Sequence, residues 1–272
     1  MTLDQLNDQY PNKTAFITGA GSGLGLAFAG LLSQNGWTLH LSDINFESLA
    51  QTRESLGTSD VHLYELDVAD LAAYQKVAEQ VFQHQKPVDL VINNAGIGDG
   101  SLFHEYKPED WERMIQINLM GTYYGCHVFV PHLKEQKRGL IINIGSAAGF
   151  MNAPGMSAYN VSKAAVYSLS ETLWHELKGD NIHVAVLTPT FFRTNVMSQS
   201  TGPLIFRNFV DKQMKYSTTN ADEVAAVTLS QAAKGKFPII HPKEARRNHF
   251  VKKWMPGIVD RQFEKLLHKF KG

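Results

Sequence analysis

The stretch Thr18-Gly19-Ala20-Gly21-Ser22-Gly23-Leu24-Gly25 decides the fold of this 272-residue chain. It follows a short apolar run, Thr14–Thr18, and precedes a helical pattern of apolar residues that ends at Gly36. Glycines allow a sharp turn between a strand and a helix, and they let a pyrophosphate approach the free N–H groups of the helix N-terminus. The glycine spacing is G-x-x-x-G-x-G, and taken alone it also fits a simple turn.

The same alternation of strand and helix patterns continues along the chain. The strand patterns are Trp37–Leu41, Val61–Leu66, Leu90–Ile92, Leu140–Ile144 and Val184–Leu187, and the helix patterns are Leu71–Phe82, Trp111–Leu133 and Tyr159–Leu177. Strands of about five residues that alternate with helices indicate βαβ units. Right-handed crossovers then predict an α/β fold with a Rossmann-type, doubly wound parallel sheet. We expect one domain over residues 1–240, with an extension at 241–272 packed on it.

The composition is that of an ordinary globular protein, with 43% hydrophobic residues and 26 basic against 26 acidic side chains. We expect no nucleic-acid partner. The single cysteine, Cys126, excludes an intramolecular disulfide framework and fits a reducing compartment. Residues 1–12 lack the pattern of a secretory signal, so a cytoplasmic location is expected.

Two stretches without Lys, Arg, Asp or Glu, Met114–Leu133 and Leu140–Ser162, are interrupted by polar residues, glycine and proline. They do not form the mostly apolar helix of about 20 residues that a bilayer requires. A mostly uncharged helix in a soluble protein is more often buried or at a subunit interface. We therefore expect a homodimer or homotetramer that associates through the helices Trp111–Leu133 and Tyr159–Leu177.

The C-terminal segment from His241 to Gly272 is basic, with nine Lys or Arg against three acids. The rest of the chain is correspondingly acidic. Apolar residues recur at helical spacing on one face of this segment: Val259, Phe263, Leu266, Leu267 and Phe270. A basic segment of this kind can contact an anionic membrane surface or nucleic acid. The alternative is a helix that docks on its own acidic body.

Asp43 ends the second strand pattern, where a carboxylate can accept hydrogen bonds from an adenosine ribose. A carboxylate there would repel a 2′-phosphate, and no Arg or Lys follows in Asp43-Ile44-Asn45. The sequence therefore favours NAD over NADP. The alternative is that Asp43 is only a turn or cap residue.

Tyr159 and Lys163 are four residues apart, so they share one helix face. A tyrosine with an ordinary pKa near 10 is a poor base at neutral pH, and a nearby ammonium is expected to lower that pKa. Ser146, after the preceding strand pattern, could donate a hydrogen bond to a substrate oxygen. The Y-x-x-x-K spacing is common on surface helices, and it becomes specific only together with the glycine loop and Ser146.

With these motifs in this order, residues 12–240 resemble the classical short-chain dehydrogenases/reductases. Asp67-Val68 is similar to the pair that borders the adenine ring, and Asn93-Asn94-Ala95-Gly96 to the motif that lies against the cofactor. Asn118, Ser146, Tyr159 and Lys163 match the catalytic tetrad.

The resemblance implies a role for each residue of the tetrad. Tyr159 would be the general acid/base, Ser146 would hold and polarise the substrate oxygen, and Lys163 would bind the nicotinamide ribose and lower the tyrosine pKa. Asn118 would anchor a water that links Lys163 to solvent. Hydride would pass directly between the substrate carbon and the nicotinamide. The implied cofactor-binding residues are Gly19, Ser22, Gly23, Leu24, Gly25, Asp43, Asp67, Val68, Asn94, Ala95, Gly96, Tyr159, Lys163, Pro189, Phe192 and Thr194.

One departure concerns Pro189-Thr190, where the family usually has Pro-Gly. Threonine adopts a positive φ less readily than glycine, so we expect a modest adjustment of the backbone beside the nicotinamide.

No metal is expected, because the eleven histidines lack ligand spacing with carboxylate or thiolate partners.

The substrate is expected to be a lipophilic secondary alcohol or ketone. The segment 195–219 is rich in apolar residues and suits a mobile lid, and Ser146, Tyr159, Met151 and Phe191 are the expected substrate contacts. Two alternatives remain, an NADPH-preferring carbonyl reductase and a non-catalytic NAD-binding sensor or peripheral membrane protein.

Overall fold

The computed structural model describes residues 3–57, 60–192, 197 and 200–271. Its centre is a parallel sheet of six strands in the order β3-β2-β1-β4-β5-β6. The strands are β1 (Thr14–Thr18), β2 (Thr38–Asp43), β3 (Val61–Glu65), β4 (Leu90–Asn93), β5 (Gly139–Ile144) and β6 (Ile182–Leu187). The strand order reverses between β1 and β4, as in a doubly wound sheet. The predicted α/β Rossmann-type fold is confirmed.

The strands form because their side chains are buried on both faces. Every residue of β1 and of β5 is buried. Strands of parallel sheets read as continuous apolar runs because helices cover both faces. Neighbouring residues of β1 join different cores: Ile17 packs in one, and Phe16 packs in the other with its ring 4.8 Å from that of Phe129.

Helices connect and cover the strands. They are α1 (Asp4–Gln9), α2 (Gly23–Ser33), α3 (Phe46–Leu56), α4 (Leu71–Phe82), α5 (Pro108–Ile115), α6 (Gly121–Glu135), α7 (Ala148–Met151), α8 (Ser157–Leu177), α9 (Leu204–Tyr216), α10 (Ala221–Ala233), α11 (Lys243–Trp254) and α12 (Pro256–Lys271). Side chains at the N-caps fix several helix starts: Asn45 accepts from Ser48 N at 3.0 Å, and Asp70 accepts from Ala72 N at 2.8 Å.

The structure differs from the sequence prediction along the helix expected at Trp111–Leu133. A π-helical segment, Gln116–Met120, separates α5 from α6. Such segments insert an extra residue into the helical repeat and often occur at functional sites. This segment carries Asn118, which is fully buried.

The C-terminal extension packs against the body of the protein. The ring of Phe270 on α12 lies 4.2 Å from that of Phe206 on α9, and the ring of His249 on α11 lies 4.9 Å from that of Phe150 on α7. Of the predicted lid, residues 195, 196, 198 and 199 lie outside the described residues, and α9 forms most of the remainder.

Among the described helices, none has the length and apolar character needed to cross a membrane.

Candidate active site

A cavity of about 560 Å³ lies beside the ends of β1, β2, β4 and β5 and collects most of the residues singled out in the sequence. Those that line it are Gly19, Ser22, Gly23, Leu24, Asp43, Asp67, Val68, Asn94, Ala95, Gly96, Ser146, Met151, Tyr159, Lys163, Pro189, Phe191 and Phe192. Gly25 and Asn118 are not among its lining residues. Thr194 lies outside the described residues.

The glycine loop brings the start of α2 close to the end of β1. Gly19 has a φ of +65°, a conformation that side chains rarely adopt. A Cβ at Gly25 would overlap the carbonyl oxygen of Gly19 and would lie 2.7 Å from Asn94 Nδ2. Gly25 therefore serves close packing behind the loop, while Gly19 and Gly23 face the cavity.

Asn94 and Thr18 hold the loop against the end of β4. Thr18 Oγ1 accepts hydrogen bonds from Asn94 N and Ala95 N, each at 3.0 Å. Asn94 Nδ2 donates to the carbonyl oxygens of Thr18 and Gly19, at 2.9 and 3.0 Å. Sequence reasoning missed the role of Thr18, although a hydroxyl at the end of a buried strand was a usable signal.

Asp43 is the last residue of β2 and organises the neighbouring turns. Its Oδ2 accepts from Gly21 N at 2.9 Å, and its Oδ1 accepts from Asn45 N at 3.0 Å. The same carboxylate lines the cavity, and its oxygens keep lone pairs for further donors. The turn role and a ribose-binding role are therefore compatible.

Ser146, Tyr159 and Lys163 meet at the other part of the cavity. Ser146 follows β5, and its hydroxyl accepts from Ala148 N at 3.1 Å and donates to the Pro189 carbonyl oxygen at 3.5 Å. Lys163 Nζ donates to the carbonyl oxygen of Ile144 at 2.8 Å and lies 5.8 Å from the centroid of the Tyr159 ring. One turn of α8 separates Tyr159 from Lys163, as the spacing predicted.

The protonation of this group differs from the sequence expectation. Burial raises the pKa of Tyr159 above its usual value, and the neighbouring Ser146 hydroxyl opposes this only in part. Burial also lowers the pKa of Lys163 to about 8. The lowering of the Tyr159 pKa that was predicted from the lysine charge is not seen in this structure, because desolvation dominates for both side chains.

Asn118 does not line the cavity, and its side chain is fully buried. Its Oδ1 accepts from Ile97 N at 2.8 Å, and its Nδ2 donates to the Ile97 carbonyl at 3.0 Å and to Ser162 Oγ at 3.2 Å. The side chain thus ties the chain after β4 to α8, next to Lys163. Its predicted role as a water anchor stays a prediction.

Thr190 fits its position without backbone strain, since its φ is not in the positive region. Next to it, the Pro189 carbonyl oxygen accepts from Ala147 N at 2.8 Å. The departure from Pro-Gly therefore leaves the link between the ends of β5 and β6 in place.

Sequence reasoning missed the part of the cavity wall that the C-terminal extension supplies. Asn248 of α11 and Gln262, Phe263 and Leu266 of α12 line the cavity. The apolar stripe of α12 was visible in the sequence, but its partner was not. Arg113 of α5 also lines the cavity and was not foreseen.

Asp99 fixes the chain that leads into α9. It accepts hydrogen bonds from Ser200 Oγ at 2.6 Å, Thr201 Oγ1 at 3.1 Å and Gly202 N at 2.9 Å.

In the described part of the chain, no group of three or more His, Cys, Asp or Glu side chains is arranged to hold a metal ion.

Comparison with known proteins identifies the family. The family model described as short chain dehydrogenase matches residues 13–203. The chain belongs to the short-chain dehydrogenase family. It is an oxidoreductase of this NAD(P)-binding family.

Individual relatives support this membership. The chain is 37% identical over 185 residues to the 3-oxoacyl-(acyl-carrier-protein) reductase FabG of Thermotoga maritima, covering 67% of this chain and 75% of that protein. It is 33% identical over 192 residues to the 2-dehydro-3-deoxy-L-rhamnonate dehydrogenase (NAD(+)) of a Sphingomonas strain, covering 70% and 76%. A short-chain dehydrogenase/reductase from Burkholderia phymatum, solved in complex with NAD, has a TM-score of 0.83 at 30% identity, covering 90% and 95%.

The residues present fit a dinucleotide. Gly19 and Gly23 line the cavity without a side chain at the start of α2, and the helix N-terminus favours the negative pyrophosphate. Asp43 at one end and Lys163 at the other supply a hydrogen-bond acceptor and a donor for hydroxyl groups.

Proposed function

We propose that this oxidoreductase interconverts a lipophilic secondary alcohol and its ketone and prefers NAD as cofactor. The observation that carries the proposal is the shared cavity. Ser146, Tyr159 and Lys163 line the same space as the glycine loop and a wall of apolar side chains. Proton transfer, cofactor binding and substrate binding therefore have one common location.

Each catalytic side chain has a chemical task in this proposal. The substrate oxygen lies within reach of the Ser146 and Tyr159 hydroxyls, which line the same cavity. In ketone reduction Tyr159 donates the proton, and in alcohol oxidation its phenolate accepts it. Lys163 stabilises the phenolate when charged, and the Ile144 carbonyl orients its Nζ. When bound, the nicotinamide supplies the hydride donor or acceptor.

The preference for NAD rests on Asp43. A carboxylate that lines the cavity at the end of β2 suits ribose hydroxyls and repels a 2′-phosphate. Its two backbone hydrogen bonds hold it in place.

The lipophilic substrate class rests on the wall that faces the catalytic residues. Its side chains are mostly apolar and come from α7, the chain before α8, the chain after β6, α9 and α12: Met151, Met156, Phe191, Met197, Phe209, Val210, Met214, Phe263 and Leu266. Apolar lining with few polar groups suits a bulky apolar molecule that is oriented by its single oxygen.

We also propose a homodimer or homotetramer. The helices α6 and α8 keep exposed apolar side chains, with Tyr123 40% and Val161 47% exposed. Association through these helices would cover them.

The test follows absorbance at 340 nm with NAD and with NADP across secondary alcohols from short aliphatic to polycyclic. We expect turnover with NAD on bulky apolar alcohols. Tyr159→Phe should lower kcat by about 100-fold or more, the usual contribution of a general acid/base, while NAD binding persists. The matched control is Tyr216→Phe, a tyrosine 73% exposed, which should leave kcat unchanged.

Two outcomes would overturn the proposal. Turnover with NADP alone would make the protein an NADPH-preferring carbonyl reductase. Tight NAD binding without turnover on any alcohol or ketone would instead indicate a nucleotide sensor.

A further inference from the structure

The outward face of α11 combines basic and aromatic side chains. Its exposed residues follow a spacing that places them on one side of the helix. They are Lys243, Arg246, Arg247, Phe250, Lys253 and Trp254. We call this set the α11 outer face.

The aromatic residues of this face are exposed to an unusual degree. Trp254 is 65% exposed and Phe250 is 56% exposed. The apolar surface continues into the junction with α12, where Met255 is 42% and Ile258 is 44% exposed. Neighbouring exposed apolar side chains mark interaction sites more often than isolated ones do.

The charge of the face has one sign. The helix carries five basic residues against one acid, Glu244. Among the residues that the structure describes, no carboxylate forms an ion pair with Lys243, Arg246 or Arg247. The ion pair of this helix is Lys252 with Asp260, at 3.9 Å, away from the outer face.

The opposite side of α11 is already used. Ala245 is fully buried, Asn248 lines the cavity, and His249 contacts Phe150. The helix is therefore held on the body by one side, and its other side is left for a partner.

We propose that the α11 outer face binds the surface of an anionic lipid bilayer. Basic side chains attract anionic headgroups, and Trp and Phe beside them insert at the level of the headgroups. Tryptophan suits this position because its ring is apolar while its N–H can stay hydrated. The exposed Met255 and Ile258 extend the apolar surface that would enter the membrane interface. A polyanion such as nucleic acid would make no use of these apolar side chains.

A second copy of this chain is a less suitable partner for the same face. A two-fold contact would bring two positive faces together, and like charges at a contact are costly. Lipid binding through the outer face would leave the opposite side of α11 to line the cavity through Asn248. The inference rests on the exposed surface and does not depend on the proposed substrate.

The test uses the full-length protein and co-sedimentation with phosphatidylcholine vesicles, with and without phosphatidylglycerol. Binding is expected only to the anionic vesicles and should weaken as salt is raised. Arg246→Gln/Arg247→Gln should lower the partition coefficient about 25-fold, since each basic residue near such a surface contributes about fivefold. Phe250→Ser/Trp254→Ser should lower it by more than about tenfold, because both side chains lose apolar area that the interface would bury.

Two controls match these variants. Lys234→Gln/Lys236→Gln makes the same charge change at exposed positions after α10, and Phe103→Ser removes an aromatic side chain that is 79% exposed. Both should bind like the unaltered protein. Equal sedimentation with neutral and anionic vesicles, or control variants that lose as much binding as the α11 variants, would overturn the proposal. So would a smaller assembly of the Phe250→Ser/Trp254→Ser variant in size-exclusion chromatography, which would make the face a subunit contact.

Discussion

Lys163 Nζ lies 2.8 Å from the carbonyl oxygen of Ile144, the last residue of β5, and donates a hydrogen bond to it. Lys163 is only 5% exposed, and among the described residues this is the hydrogen bond that its ammonium forms. The end of the strand therefore sets the position of the lysine, and α8 sets the position of Tyr159 one turn earlier. The distance between the two side chains is fixed by the packing of α8 on the sheet.

The burial of Lys163 predicts a characteristic dependence of stability on pH. Its pKa is lowered from 10.5 to about 8 in the folded protein, so between these values the unfolded chain binds more protons than the native one. The free energy of unfolding contributed by this group therefore rises with pH from about 8 upward. The free energy of unfolding of the unaltered protein, minus that of Lys163→Met, should rise by about 2 kcal/mol between pH 8 and pH 10.

Urea denaturation of both proteins at several pH values measures this difference. Other groups that titrate in the window are present in both proteins and cancel in the comparison. Lys212→Met, an exposed lysine on α9, is the control and should give a flat difference curve. A flat curve for Lys163→Met would show that the lysine keeps its ordinary pKa.

The close packing at Gly25 predicts that a single methyl group disturbs the cofactor loop. In Gly25→Ala the new Cβ would overlap the Gly19 carbonyl oxygen, and backbone atoms cannot move away easily. We expect a loss of stability of about 1–3 kcal/mol and weaker NAD binding, measured by urea denaturation and by fluorescence titration.

Gly30 on the same helix gives the matched control. A Cβ there would meet only Leu56 Cδ2, at 3.9 Å. Gly30→Ala should stabilise the protein by about 0.5–1 kcal/mol, because alanine favours a helix interior. Equal effects of the two substitutions would contradict the packing argument.

The carboxylate of Asp43 predicts the discrimination between the two cofactors. Asp43→Asn removes the charge while its side-chain oxygen can still accept one of the two backbone hydrogen bonds, from Gly21 or Asn45. The ratio of kcat/KM with NADP to that with NAD should rise on the order of tenfold to 100-fold, as expected for the removal of a like charge near a phosphate. Asp67→Asn, in the same cavity, should leave the ratio unchanged. If Asp43→Asn left it unchanged as well, another residue would set the preference.

Features that depend on local sequence could be predicted. The continuous apolar runs predicted the strands, and Asp43 is the last residue of β2, as expected. The spacing of Tyr159 and Lys163 gave their common helix face, because four residues make about one turn.

Features that depend on contacts between distant segments could not be predicted. The π-helical segment at Asn118 is accompanied by hydrogen bonds to Ile97, twenty-one residues away. The pKa of Tyr159 depends on how deeply the folded protein buries it. The stripe on α12 predicted an apolar partner, but only the docked helix shows that Phe263 and Leu266 line the cavity.

The contact of α12 with α9 predicts an effect on substrate binding from a residue outside the cavity. The ring of Phe270 lies 4.2 Å from that of Phe206 and 5.7 Å from that of Phe209, and Phe209 lines the cavity. Phe270→Ala removes this support, so the KM for a bulky apolar alcohol should rise about tenfold, within the usual range for a lost apolar pocket contact. The KM for NAD should stay unchanged, because the hydrogen bonds that hold the glycine loop come from Thr18 and Asn94 and not from α12. Steady-state kinetics with both substrates measures the two values, and His268→Ala, exposed on the same helix, is the control. A parallel rise of both KM values would mean that α12 supports the whole fold rather than the substrate wall.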